Sequence, residues 1–318
     1  MQDGSSNAEA AGRTGRPFDP RAAPALGRLA GLAPLRSAAL ALEAAMFSLL
    51  QTTLEAKGAD ATNAVARRSS LVLAPHPDDE TLGCGGTIAL KRAQGVEVDV
   101  VIAADGSRSH RSRTRSPGEL AQVRRREALD ACAQLGVPED RVHFLELEDQ
   151  TLRTRVPELV ERLEAIVRSA KPKEILAPCG LDWNPDHQAL AAAAQRLVAR
   201  GAHRGAALAY PVWFWRLRSW LWPYRIGLRA APQLLRGPVR AALTLRPLLV
   251  QLSSVRERKT QALAQHRTQV ANPFGEPGWA TLEPLFLRHF FRRFEMFFPL
   301  GQAETLAPWT MTAEKKDA

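Results

Sequence analysis

Between Leu71 and Gly86 an apolar run (Leu71, Val72, Leu73, Ala74) ends at Pro75, and His76, Asp78, Asp79 and Glu80 follow at once, before a glycine cluster at Gly83, Gly85 and Gly86. Histidine and carboxylate are zinc-binding side chains, and His76 and Asp79, three apart on a tight turn, can face one ion while Asp78 points past it. A carboxylate left beside a metal site is a candidate general base. The plain alternative is that acids after a strand cap the next helix or solvate a turn.

The flanking pattern shows what must hold these residues. Leu71 to Pro75 reads as a buried strand, Thr81 can cap a helix running to about Gln94, and Gly95 stops it. Val96 to Ala104 reads as a second buried strand, and a polar, arginine-rich loop follows from Ser107 to Pro117. Then come a helix from Glu119 to Leu135 closed by Gly136, a strand from Val142 to Leu147, a helix from Val156 to Ala170, a strand from Glu174 to Pro178, and a helix from about Pro185 to Arg200. Such alternation, with almost continuously apolar strands, predicts an α/β fold: a Rossmann-like, mostly parallel sheet with helices on both faces, plus a helical N-terminal extension and C-terminal helices. Ligands of these sheets sit beyond the carboxyl ends of the strands, so the run Cys179 to His187 is expected at the same edge as His76. A dinucleotide fingerprint is the rival reading of the glycines, but Ile88 stands where the third glycine of GxGxxG, counted from Gly83, is required. Close packing of the helix under the loop is expected instead.

Together these residues resemble the PIG-L/LmbE-like zinc-dependent N-deacetylase family. Its hallmark, Pro-His-Pro-Asp-Asp-Glu after the first core strand, is matched residue for residue by Pro75 to Glu80, and a weaker likeness runs from about Ser69 to about Phe298. The resemblance implies one zinc ion on His76, Asp79 and His187, the last matching the final histidine of a His-Pro-Asp-His motif, with Asp78 as the base. It implies removal of an N-acetyl group from an N-acetylglucosamine-type substrate, lipid-linked or another glycoconjugate, with release of acetate and a free amine. At Asn184 the sequence departs from the pattern: many members have there the first histidine of the motif, an acid or oxyanion stabiliser. An amide cannot protonate a leaving amine, yet it can donate to an oxyanion. Either Asp78 performs both proton transfers, or His110 or His266 supplies the acid, or the protein is impaired.

Three looser matches complete the resemblance. Arg124 and Glu127 fit an Arg-x-x-Glu pattern whose arginine reaches substrate in some members; a solvated helix arginine is the alternative. Lys259 to Gln269 resembles a late helix that brings His266, a substrate-binding candidate, and Gln269 near the cleft. Glu295 resembles a structural Glu-x-Phe element. A reading from another class is a catalytically impaired, metal-retaining relative that acts as a membrane-associated binding or scaffold protein. Asn184 favours it and the intact Asp78 opposes it. A third reading keeps the enzyme and changes the bond to an amide of a small thiol precursor or antibiotic intermediate.

Composition bounds the rest. A chain of 318 residues can bury one large core with appendages. Cys84, Cys132 and Cys179, odd in number and without a CxxC pair, argue against a disulfide framework and for a reducing compartment, with each thiol a small core or loop residue. The net charge of +10 favours acidic partners, but no zinc-finger, RRM or basic-zipper pattern accompanies it, so no nucleic acid is expected. No uncharged apolar run of about 18 residues announces a transmembrane helix, and Met1 to Ser6 lacks the order of a signal peptide. Residues 1–24 read as a disordered tail, 25–67 as a helical extension of two helices broken near Pro34, 68–300 as the deacetylase domain, and 301–318 as a C-terminal tail. Between Asp186 and Glu257 there is no acidic residue, while Trp213, Phe214, Trp215, Trp220, Trp222 and Tyr224 stand near arginines at 216, 218, 225, 229, 236, 240 and 246. This Trp/Arg-rich insertion, about 213–250, reads either as a surface for an anionic membrane and a lipid-linked substrate or as a lid or protein interface. The expected location is cytoplasmic, peripheral at a membrane.

Overall fold

Apolar strands alternating with capped helices build one eight-stranded sheet in the computed structural model, which describes residues 33–221 and 231–306. In chain order the elements are α1 (Ala33–Lys57), β1 (Ala59–Asp60), α2 (Thr62–Ala66), β2 (Ser70–Ala74), α3 (Asp79–Ala93), β3 (Val98–Ala104), α4 (Pro117–Leu135), β4 (Val142–Leu147), α5 (Val156–Ala170), β5 (Glu174–Pro178), α6 (Pro185–Ala199), β6 (Ala206–Tyr210), α7 (Leu217–Leu221), α8 (Ala231–Thr244), β7 (Leu248–Gln251), α9 (Arg256–Leu263), α10 (Arg267–Val270), α11 (Pro284–Leu287) and β8 (Phe294–Pro299). The strand order is β1-β7-β8-β6-β5-β2-β3-β4. Only β8 runs against its neighbours; the other pairings are parallel. At the centre, Val72 lies opposite Val100 on one side and Leu176 on the other. Strands β2, β3 and β5 are buried at every position, as parallel strands covered on both faces must be, and each face of the sheet has its own apolar core.

Contacts divide the chain into residues 1–40 and residues 41–318. The first unit is described only where α1 begins, so the expected tail over 1–24 and the first helix of the expected pair lie outside the described residues. Pro34 does not break α1, because a proline in the first turn lacks an N–H that would have had no partner there. From Ala41 onward α1 joins the second unit, with Phe47, Leu50 and Leu54 in its core. Ser37–Lys57 is long and apolar enough, by length and composition, to cross a membrane, although Glu43 and Glu55 interrupt it.

Three expectations are corrected. The helix after His76 starts at Asp79 rather than Thr81, since the Thr81 and Leu82 N–H groups already return to the Asp78 carbonyl. The stretch 213–250 is not a surface appendage: Phe214, Trp215 and Trp220 are buried, Trp215 stacks on His289 at 5.3 Å, and β7 joins the sheet. Those three rings are core and do not face a headgroup layer; Trp222 and Tyr224 lie outside the described residues. The expected tail begins later than 301, because Ala303 and Leu306 are buried and Glu304 accepts the Gly180 N–H at 2.8 Å. Residues 307–318 lie outside the described residues.

Candidate active site

Strand ends deliver the site, as parallel sheets require. His76 follows β2, Asp149 follows β4, and Asp182, Asp186 and His187 follow β5. The tight turn after Pro75 makes Asp79 reach back to His76: its Oδ2 accepts the His76 N–H at 3.0 Å and lies 3.2 Å from His76 Nδ1. The same oxygen lies 3.2 Å from His187 Nε2, and the two imidazoles sit 5.5 Å apart between centroids. One ligand atom from each of His76, Asp79 and His187 falls within 4.8 Å of the others, so the three residues expected to share an ion do converge.

The chemistry of this donor set fits a divalent metal. His187 is fully buried, its Nδ1 is held 2.9 Å from Asp182 Oδ2, and its Nε2 has no hydrogen-bond partner. Asp182 thereby holds the ring with Nε2 turned toward Asp79, where its lone pair is open to a metal once the ring is neutral. Burial opposes charge on His187, but the carboxylates of Asp79 and Asp182 outweigh it and raise its pKa to about 9. Asp79, despite burial, is held well below the usual carboxylate range by the two histidines. A second set, His76, Asp149 and Asp186, also comes within ligand distance, with Nε2 3.3 Å from Asp149 and 3.2 Å from Asp186. Both Asp186 oxygens, however, accept backbone N–H groups, from Gln150 at 2.7 Å and Leu152 at 3.1 Å. Asp186 and Asp149 therefore orient His76 from behind. Neither they nor Asp182 were singled out from sequence; their one available signal is position, an aspartate just beyond a strand at the ligand-bearing edge.

Asp78 is in a different state from Asp79. Its backbone has φ of 131°, a strained value for a non-glycine residue, held by the Glu80 carboxylate accepting its N–H at 3.0 Å. Burial, then the neighbouring Asp79 charge, pushes its pKa up to about 7, with Arg124 and His266 pulling the other way. A carboxylate that titrates near neutrality next to a ligand cluster has the property a general base needs.

The expected substrate contacts are placed otherwise. Arg124 is buried, with its guanidinium on the carbonyls of Pro77 and Gly106 and 3.5 Å from Asp78 Oδ2, so it supports the Asp78 loop instead of reaching outward. Gly106, at φ 68°, admits this contact; a Cβ there would stand 2.4 Å from the guanidinium. His266 is also fully buried, its Nε2 2.9 Å from Glu80 and 3.2 Å from Thr81 Oγ1, and so holds Glu80 beneath Asp78. Glu127 anchors α10 through the Thr268 N–H and hydroxyl, which places Gln269 behind the site as well. Asn184 caps α6, its Oδ1 accepting the Asp186 N–H at 2.9 Å, and stands three residues before His187. His110 lies on the loop after β3, stacked on Trp279 at 4.1 Å with Nε2 2.7 Å from the Ala280 carbonyl. The glycines serve packing as expected: a Cβ on Gly83 would meet Tyr210 at 2.1 Å and one on Gly86 would meet Leu252 at 2.3 Å. All three cysteines are free and buried.

Residues 71–198 match the family model described as PIG-L, GlcNAc-PI de-N-acetylase. A probable N-acetyl-alpha-D-glucosaminyl L-malate deacetylase 2 of Bacillus cereus is 32% identical over 140 residues, 42% of this chain and 62% of that protein. Diacetylchitobiose deacetylase of Thermococcus kodakarensis is 32% identical over 146 residues, 45% of this chain and 52% of that protein. The chain thus spans little more than half the length of these relatives. Among solved structures, N,N'-diacetylchitobiose deacetylase from Pyrococcus horikoshii superposes with a TM-score of 0.53 at 25% identity, covering 83% of this chain and 94% of that one.

Proposed function

We propose that this chain, whose residues 71–198 match the PIG-L family model, is a metal-dependent N-deacetylase acting on an N-acetylglucosamine-type substrate. The observation that carries the reading is Asp78: buried, strained and poised to titrate at about 7, beside the converging His76, Asp79 and His187. The deacetylase names of the relatives support the bond and the sugar class, and the description of the family model supports a lipid-linked glucosaminide as one form of it.

A divalent ion, zinc in this reading, would be held by His76, Asp79 and His187 and would supply Lewis acidity toward the amide carbonyl and the attacking water. The chain's own residues do the rest. Asp78 accepts a proton from the water as its oxygen bonds to the carbonyl carbon, and Arg124 keeps that carboxylate aligned. Asn184, whose Oδ1 is engaged by the helix N-terminus, has its Nδ2–H to offer the tetrahedral oxyanion. When the C–N bond breaks, the nitrogen takes the proton from Asp78, so one carboxyl group performs both transfers and the absent histidine is not required. Acetate and a free amine leave.

The test is amine release by zinc-loaded protein from a panel of soluble and lipid-linked N-acetylglucosamine conjugates, beside Asp78→Asn. Release that disappears in the variant supports the reading, and the preferred panel member names the substrate. Zinc bound with no release from any member points instead to the impaired relative that Asn184 would suggest.

A further inference from the structure

Of the five large apolar side chains that the described residues expose, four stand on α1 and α8: Leu42 at 73%, Leu49 at 70%, Val239 at 54% and Leu243 at 64%. The two helices are neighbours. Trp220, buried, stacks with Phe47 of α1 at 6.4 Å and also packs against Gly237 of α8, where a Cβ would approach its ring to 2.6 Å. Lys57, ending α1, donates to the Ala242 carbonyl of α8. The outer positions of α1 run Leu42, Ala45, Leu49, Thr52, Ala56, at steps of three and four, with no charge among them. A helix on the surface of a globular protein carries its polar residues on that side. Here the two carboxylates of α1 are instead turned inward, Glu43 onto the Leu217 N–H and Glu55 onto Arg292, each side chain only about 15% exposed.

The charge beside this stripe has one sign. Arg236 and Arg240 are exposed on α8, one turn apart and next to Val239 and Leu243, and the sequence holds no acid from residue 187 to residue 256. An apolar face flanked by arginines and free of carboxylates matches a surface that offers hydrocarbon at depth and negative charge above it. We propose that α1 and α8 together dock this protein on an anionic lipid bilayer, with Leu42, Leu49, Val239 and Leu243 at the acyl boundary and Arg236 and Arg240 at the level of the phosphates. The buried aromatic stretch then acts as the floor that sets the two helices side by side. Because α1 is seated on the domain by Phe47, Leu50, Gln51 and Leu54, it lies along the bilayer and does not cross it.

The docking surface is independent of the reaction, and its test needs no substrate. The full chain is sedimented with vesicles of phosphatidylcholine alone and of phosphatidylcholine with phosphatidylglycerol, at low and high salt. Binding is expected only to the anionic vesicles, weakening as salt screens the arginines. Arg236→Gln/Arg240→Gln is expected to weaken partitioning by about 30-fold, roughly fivefold for each charge, and Leu42→Ser/Leu49→Ser to reduce it as well. All four positions are exposed, so melting temperature should hold in both variants. No binding to anionic vesicles at low salt would overturn the proposal, as would binding that ignores both variants. A homodimer in lipid-free buffer that Leu42→Ser/Leu49→Ser dissociates would assign the face to a second copy of the chain instead.

Discussion

Helix α3 meets buried charge at its first turn, from its own Asp79 and Glu80, and at its middle, from Glu295 and Lys259, and the two places are built on opposite rules. In the middle, Glu295 of β8 reaches across and takes the Gly86 N–H and Thr87 N–H at 2.7 Å each, the Thr87 hydroxyl at 2.5 Å, and Lys259 Nζ at 2.7 Å. Lys259 in turn donates to the Leu82 carbonyl, the group a regular helix would offer to the Gly86 N–H. Each carboxylate oxygen of Glu295 has two donors, and the ion pair is closed. At the first turn, His187 Nε2 and one oxygen of Asp182 lack hydrogen-bond partners, Asp78 has a strained backbone, and Asp78 and Asp79 are pushed apart in pKa. Burial alone does not separate a working cluster from a structural one, and neither does a single unpaired atom, since Glu174 Oε2 in the buried Lys91 ion pair also lacks a hydrogen bond. A strained backbone together with carboxylates pushed apart in pKa marks the first turn.

Asp78→Asn strikes the open cluster where the effect should be largest. Losing the general base is expected to lower kcat by about 10³- to 10⁴-fold. The same change should stabilise the metal-free protein. With a folded pKa of about 7 against an ordinary 3.8, ionised Asp78 costs the folded state stability that is intact below about pH 4 and fully lost above about pH 7. The melting temperature of Asp78→Asn should therefore exceed that of the parent at pH 8 and match it near pH 4. A variant that is inactive but no more stable at pH 8 would mean Asp78 is not held in the costly state described.

Glu295→Ala makes the opposite prediction for the closed cluster. It strands the Lys259 charge and two backbone donors in the core, a loss of about 3–5 kcal/mol. Denaturant unfolding should show that loss, while kcat per folded molecule stays at the parent value. A variant that unfolds normally but is inactive would erase the distinction drawn here.

Much of this was legible in the sequence, for reasons that also mark the limits. Strands β4 and β5 and helix α5 fall where expected because a mainly apolar segment in Val142–Leu147, a nearly continuous apolar run in Glu174–Pro178 and a helical stripe in Val156–Ala170 stood out. Strands β6, β7 and β8 escaped notice: Ala206–Tyr210 is mostly alanine, and Phe294–Pro299 runs antiparallel and draws its meaning from a distant helix. The candidate ligands His76, Asp79 and His187 were named through the family resemblance, and a turn and a sheet edge bring them to one point in the fold. Arg124 and His266 were expected at the substrate and turned out to be supports, since nothing local shows that carbonyls of Pro77 and Gly106, or the carboxylate of Glu80, lie within their reach. The aromatic stretch looked like a surface for the same reason, as burial is decided by partners such as Phe47 and His289 that are remote in sequence.

Asn184 tests whether one residue can serve both the fold and the reaction, since it caps α6 three residues before His187. Asn184→Ser keeps an oxygen to cap α6 and removes the amide donor, so the fold should change by only a few tenths of a kcal/mol while kcat falls by about 10²- to 10³-fold. Unchanged kcat would make Asn184 a cap and nothing more.

The smallest expected effect concerns Asp182, which touches the ligand and not the substrate. Asp182→Asn can still accept from His187 Nδ1–H and from the Val212 N–H, contacts of 2.9 and 3.3 Å in the parent, so the ring should stay in place. What disappears is negative charge. Zinc affinity, read by competition with a chromogenic chelator, should weaken by about 10- to 100-fold. The pH dependence distinguishes this from simple damage. His187 must lose its proton to bind a metal, and Asp182 helps raise its pKa to about 9. In the parent, affinity should therefore climb with pH up to about 9, whereas in Asp182→Asn the climb should end at lower pH and fewer protons should be released on binding at pH 8. A weaker affinity with an unchanged pH profile would mean that Asp182 holds the imidazole by shape alone.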